Sequence, residues 1–468
     1  MKKRRIFVWI NILSLLFIIS NFCNCGKDDE NPDDGTDPGK DDFYAITIDP
    51  SITYQEMIGF GGALSWYCDR ITSSSKKDEI TQFLFNDLGA DIIRLKNWYY
   101  PVDYPTNKTA DVMEISWFKQ HFDATNELFA IAKQKDPKIK VLFSSWGPPS
   151  ALKSNASTRS GTLKKDNGIF MYEEYATYWE DILNNISFNP EYLSIQNEPS
   201  YVNDGWETCE WRPTETPDFP GYDVAFDMVY DKIKNRTNPP VLIGPESANI
   251  GNSSFGNTFS TFADAIKEKP YLEIYAYHPY NFNESSSSSA IASALSMIKN
   301  GYSDRSNIMT EYSGMSWLKT AQFINSTLKN ANSSGYIYWE MMWDENSDNA
   351  MVKIGQNGSY ELTPFYYLIK HYAKYVDEGC QRIDLGSEHV AVDAVAFISP
   401  AGDRIVTILI NPNLSAIDVK IAITNHQPTI TSGWQSLEDD NYKEMQGLSI
   451  DQALSLAGKS ITTIVLGI

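Results

Sequence analysis

Tyr192-Leu193-Ser194-Ile195-Gln196-Asn197-Glu198-Pro199 starts as an apolar run and ends in a carboxylate and a proline. That pattern predicts a buried strand over 192–198 that delivers one acid to a loop. A second stretch repeats it: Asn307-Ile308-Met309-Thr310-Glu311-Tyr312. Two glutamates at the ends of two buried strands suit a two-carboxylate cleavage of a glycosidic bond. One would be protonated and give its proton to the leaving oxygen, and the other would be ionised and attack the anomeric carbon.

Working outward, a strand–helix rhythm surrounds both stretches. Strands are predicted at 57–64, 92–96, 140–146, 192–198, 241–247, 272–278, 307–312 and 335–343. Helices are predicted at 76–88, 115–135, 171–184, 223–235, 259–267, 290–298, 317–326 and 364–376. Eight alternations argue for an α/β fold, a closed (β/α)8 TIM barrel, over residues 57–376. Such barrels build their sites at the C-terminal strand ends, and strands four and seven lie across the mouth from each other. After residue 376 short strand-like runs follow (390–397, 404–409, 416–423, 461–466), which predicts a fused β-sandwich side domain over 377–468. The serine run Ser285–Ser289 reads as a surface loop.

Ile195-Gln196-Asn197-Glu198-Pro199 resembles the acid/base motif of glycoside hydrolase clan A, and the chain resembles glycoside hydrolase family 30 from about Tyr44 to Ile468. Gly59-Phe60-Gly61-Gly62 and Thr310-Glu311-Tyr312 carry the same resemblance. It implies a retaining mechanism, Glu198 as acid/base and Glu311 as nucleophile. It also implies that residues 43–56 add a strand to the side domain. Within the family the xylanase branch is favoured, so endo-acting cleavage of plant cell-wall β-1,4-xylan is the expected function. A β-1,6-glucanase or β-glucosidase/glucosylceramidase-like enzyme is the alternative. The stretch 375–382 holds no Arg-x-Tyr for a glucuronic acid branch, and Tyr312 stands where that branch more often has histidine.

Physical chemistry assigns the supporting residues. Asn197 can hydrogen-bond a sugar 2-hydroxyl. Arg94, at the end of strand two, keeps its charge and could hold Glu311 ionised, as could the hydroxyls of Tyr280 and Tyr312. His278 could orient either glutamate. Trp146 and Trp343, at the ends of strands three and eight, would be sugar platforms, as would Trp66 and Trp98, which follow strands one and two. Glu246 and Glu340 are competing strand-end acids. No phosphate loop, His-Glu-x-x-His or cysteine metal set occurs, so neither cofactor nor metal is expected.

Aromatic residues make up 13% of the chain, which suits a carbohydrate cleft, and the net charge of -21 disfavours nucleic acid and anionic membrane surfaces as partners. A monomer acting on a polysaccharide is expected. A glycan-binding surface protein without activity is the non-enzyme alternative. Residues 1–25 read as a lipoprotein signal peptide: Lys2, Lys3, Arg4 and Arg5, then the apolar stretch 6–19, then Cys23 and Cys25. Cys25, with Lys27-Asp28-Asp29 behind it, resembles the surface-export signal of Bacteroidetes lipoproteins; the choice of lipidated residue between Cys23 and Cys25 is open. Residues 26–42 form an acidic flexible tether. An outer-membrane location, with membrane contact only through the lipid, is therefore expected, and secretion is the alternative. Cys68, Cys209 and Cys380 remain, and a Cys68–Cys209 bridge is conceivable between loops on the same face.

Overall fold

The computed structural model describes residues 43–468, apart from 252–257 and 388–390. The signal peptide, Cys23, Cys25 and the tether lie outside the described residues. Eight parallel strands close into a barrel: Gly59–Leu64, Ile92–Lys96, Lys140–Ser144, Tyr192–Ser194, Val241–Ser247, Leu272–Tyr277, Ser306–Met309 and Gly335–Tyr338. The eighth pairs with the first from Gly335 opposite Gly59 to Tyr338 opposite Gly62. The glycines of Gly59-Phe60-Gly61-Gly62 belong to this closure. A Cβ on Gly61 would sit 1.7 Å from the Ile92 carbonyl oxygen, so only glycine lets strands one and two approach this closely.

The two faces of each strand explain the apolar runs. Ala63, Ile92, Leu142, Ile243, Ile274, Ala276, Ile308 and Ile337 fill the barrel interior. Their neighbours Ile93, Val141, Leu193, Leu242, Tyr275, Tyr277, Met309, Tyr336 and Tyr338 pack outward into the helical layer. Buried on both faces, these strands show no apolar–polar alternation.

Six strands are shorter than their patterns suggest. The first begins at Gly59, and the third stops at Ser144, the fourth at Ser194, the sixth at Tyr277, the seventh at Met309 and the eighth at Tyr338. At the fourth and seventh, the residues up to the two glutamates leave the ladder and turn over the barrel mouth. Met342–Asp344 instead joins Val352–Ile354 and Tyr360–Leu362 in a small sheet. The serine run is partly helical: Ser287 caps the helix Ser288–Gly301 by accepting from the Ala290 amide at 3.2 Å.

The side domain is one nine-stranded sheet among the described residues, folded over its own core. Tyr44–Glu56 lies inside it, antiparallel to Gln381–Ser387 and parallel to Ile417–Ile423. Alternate residues again face two ways. Ala394, Ala396, Ile405, Leu409, Ile464 and Leu466 meet Ile46, Ile48, Val419 and Ile421. Val395, Phe397, Val406, Ile408 and Ile410 join the barrel core. His371, on the helix Pro364–Ala373, bonds Thr463 Oγ1 and Ser436 Oγ, both at 2.8 Å. Burial, aided by Lys370, pushes this imidazole down to about 3, so it joins barrel to sheet as a neutral group. Cys68, Cys209 and Cys380 are buried free thiols, so the Cys68–Cys209 bridge is absent.

Candidate active site

The inward parity of the strands brings Arg94, Ser144 and His278 together at the barrel mouth. Arg94 is wholly buried. Its guanidinium donates to Glu246 through Nε and Nη2, each at 3.0 Å, to Glu311 Oε2 through Nη1 at 2.5 Å, and to Asn197 Oδ1 through Nη2 at 2.6 Å. It also reaches Ser144 Oγ at 3.3 Å and lies 4.7 Å from the ring centre of Trp146. Such a charge survives burial only because carboxylates surround it.

Tyr280 donates its hydroxyl to the other Glu311 oxygen, Oε1, at 2.8 Å. His278 faces Glu198 Oε1 through Nδ1 at 3.1 Å and Thr310 Oγ1 through Nε2 at 3.0 Å. Glu198 and Glu246 both have positive φ, 45° and 53°. Left-handed backbone at a non-glycine residue costs roughly 1–3 kcal/mol and has to be held by its surroundings. Here the Glu198 amide donates to the Glu246 carbonyl at 3.1 Å, and the Glu198 carbonyl accepts from the Tyr201 amide at 2.8 Å.

Three protonation shifts follow from this packing. Burial raises the Glu198 carboxyl, and the Glu311 charge adds to the rise against the opposing His278 hydrogen bond. Burial alone would raise Glu246 too, but Arg94 and His278 reverse this and hold it well below the usual carboxylate range. Burial works against the His278 cation, yet Glu311, Glu198 and Glu246 lift the imidazole to about 9. Arg94 and His278 thus bring two positive groups to the three carboxyls Glu198, Glu246 and Glu311, and the charges balance when one of the three holds a proton, a role to which the raised Glu198 is suited.

A cavity of about 800 Å3 opens above this cluster. Glu198, Glu311, Asn197 and Tyr280 line it, with Trp66, Trp146 and Trp343. Arg94 and His278 lie beneath and act through the carboxylates they touch. Tyr312 does not reach the cavity: after Met309 the chain turns, and Tyr312 packs on Phe323 with its hydroxyl donated to the Phe282 carbonyl at 3.0 Å. Trp98 is buried under Trp66, its indole N–H donated to the Ser65 carbonyl. Glu246 is committed to Arg94.

Sequence reasoning did not single out Trp339, Tyr201, Trp206, Trp117 or His121, all of which line the cavity. Trp339 had a signal, being two residues beyond inward-facing Ile337. Tyr201 and Trp206 lie in a long loop after strand four and had none. Glu207 anchors that loop through a buried ion pair to Lys96, whose ammonium lies 4.1 Å from the Trp66 ring centre and 3.7 Å from that of Trp98. Burial pushes this lysine down to about 8 despite the pairing.

Glu198, His278 and Glu311 offer donor atoms within 4.8 Å of one another, the spacing of a metal site. Both Glu311 oxygens are already engaged, and Arg94 puts a fixed positive charge 2.5 Å from one of them. That donor set suits hydrogen bonding better than a cation.

No family model matches the chain. Putative glucosylceramidase 1 of Caenorhabditis elegans is 21% identical over 436 residues, covering 81% of this chain and 78% of that protein. Endo-1,6-beta-D-glucanase neg1 of Aspergillus fumigatus is 20% identical over 437 residues, covering 83% and 85%. The structure of the family 30 subfamily 8 xylanase Xyn30A from Clostridium acetobutylicum matches with a TM-score of 0.68 at 19% identity, covering 91% of this chain and all of that one. The fold is thus a (β/α)8 barrel with a β-rich side domain, like that of glycoside hydrolase family 30.

Proposed function

We propose that this protein is a retaining, endo-acting β-glycoside hydrolase, with Glu198 as acid/base and Glu311 as nucleophile. One observation carries the reading: an oxygen of Glu198 lies within 4.8 Å of an oxygen of Glu311. Retaining enzymes hold their carboxyl groups about 5–5.5 Å apart, whereas inverting enzymes leave room for a water at roughly 6.5–9.5 Å.

In the first step Glu311 attacks the anomeric carbon while the Glu198 proton passes to the departing glycosidic oxygen. The C–O bond breaks and a glycosyl ester forms on Glu311. In the second step the Glu198 carboxylate takes a proton from water, which attacks the anomeric carbon and frees Glu311. Glu198 gains its negative charge as Glu311 loses its own, so the buried cluster keeps the same net charge throughout. The His278 cation beside Glu198 supports the intermediate. Asn197, its Oδ1 occupied by Arg94, has its amide N–H free to meet a sugar 2-hydroxyl.

Proton NMR of the first product is expected to show the substrate's anomeric configuration, and an inverted product would refute the mechanism. Glu198→Gln is expected to slow poor leaving groups by 10²-fold or more and activated aryl glycosides far less, the signature of a lost general acid. The wild-type rate should fall as pH rises through the elevated Glu198 pKa, because the protonated form is consumed. That basic limb should be absent from the glutamine variant's profile.

For the substrate, β-1,4-xylan is the reading carried from sequence. The C. elegans and A. fumigatus relatives support a second, a β-1,6-glucan or a β-glucoside. Tyr201 and Trp206, 39% and 40% exposed on the Glu198 side of the mouth, offer a platform for the leaving part of a polymer. The presence of both partnered glutamates weighs against a glycan-binding protein without activity. We also propose attachment to the cell surface through a lipid on Cys25 or Cys23. Replacing both with serine should release the protein from the membrane fraction or leave its signal uncleaved; a processed, membrane-bound variant would count against the anchor.

A further inference from the structure

Glu340 lines the cavity but has no part in the charge-balanced cluster. It follows strand eight, next to strand seven, which carries Glu311, and across the barrel from strand four, which carries Glu198. The carboxyl accepts from Ser347 Oγ at 3.4 Å and from the Trp339 side chain, and forms no ion pair among the described residues. It shares the cavity wall with an aromatic cluster in which Trp339 lies 5.7 Å from Trp66 and 5.8 Å from Trp343, centre to centre. Burial, with the nearby charges of Glu311 and Asp344, raises its carboxyl to about 8.

Its position gives it a direction. Glu198 must face the glycosidic oxygen, so the leaving group departs on the strand-four side. A sugar bonded to Glu311 and directed away from strand four would extend towards strand eight, where Glu340 lines the cavity. A carboxyl group with unfilled hydrogen-bonding capacity between aromatic walls suits ring hydroxyls, which reward it only when present and unsubstituted.

We propose that Glu340 is a specificity-determining residue that binds the free 4-hydroxyl of the glycone, so that the site takes terminal or 1,6-linked sugars in preference to 1,4-linked chains. This rests on the retaining reading above and decides between its two substrate classes. A 1,4-linked chain has its 4-oxygen occupied by the next sugar and would leave Glu340 unpaired against an ether oxygen and the bulk of a second ring.

The test compares kcat/KM of the full chain on 4-nitrophenyl β-glucoside, β-gentiobioside, β-cellobioside and β-xylobioside, for wild type, Glu340→Gln and Glu340→Ala, with folding checked by circular dichroism. Wild type is expected to favour the glucoside and gentiobioside over both 1,4-linked substrates. Glu340→Ala should lower the first pair by roughly 30-fold or more and leave the second pair within about threefold, with Glu340→Gln in between. Wild-type preference for the 1,4-linked pair would overturn the proposal, as would an equal loss on all four substrates in folded variants. An unfolded alanine variant leaves the wild-type ranking and the glutamine variant to decide. Failure of the retaining reading would look different: the first product would carry the inverted anomeric configuration in every variant that turns over, whatever Glu340 does.

Discussion

Glu311→Gln is expected to lower kcat on every glycoside by on the order of 10³-fold or more while leaving the protein folded. The amide is nearly isosteric and can still accept from Arg94 or Tyr280, so the site should keep its shape. It cannot form the glycosyl ester, so good leaving groups should not rescue it. That separates it from Glu198→Gln, whose defect should depend on the leaving group. A burst of nitrophenol from an activated glycoside, present in wild type and absent in Glu311→Gln, would place the covalent step on this residue. Near-normal turnover in the folded variant would remove Glu311 from the mechanism.

Arg94→Met should damage stability as well as activity. Its guanidinium serves Glu246 and Glu311 and has no contact with solvent. Removing one member of a buried ion cluster leaves the others unpaired, at a cost of about 3–5 kcal/mol. The pH dependence supplies the check. In wild type the folded-state pKa of Glu246 is depressed, so its contribution is present above the unfolded-state value, near 4.3, and is lost as pH falls towards the folded one. Without Arg94 the buried Glu246 pKa should rise above the unfolded value, and acid should then relieve the variant. Denaturant unfolding at pH 7.5 and pH 5 should show a larger deficit for Arg94→Met at pH 7.5. Equal deficits would mean that Glu246 does not depend on Arg94.

The alternation of strand and helix patterns and the acids at strand ends were readable in the chain because each depends on local order. A strand buried on both faces must be apolar along its length, as Ile92–Lys96 and Leu272–Tyr277 largely are, and a barrel places such strand ends at one mouth. Glu198, Glu311, Arg94 and His278 were legible for that reason, whereas Gly59-Phe60-Gly61-Gly62 stood out only as a resemblance, and the close strand approach that requires Gly61 belongs to the structure. Tertiary structure decided what each of these groups is bonded to. Glu246 is a strand-end acid like Glu198 but lacks the Asn-Glu-Pro setting, and its role is set by Arg94, which approaches from strand two, 152 residues away. Tyr312 adjoins Glu311 yet faces the helices, because the chain turns where the seventh strand ends. Tyr201 and Trp206 reach the mouth because a buried pair between Lys96 and Glu207 ties their loop to the barrel. Periodicity reports which face of an element is buried. Long-range ion pairs and loop paths have no period, so the partners that set each carboxyl's charge emerge only when the barrel closes.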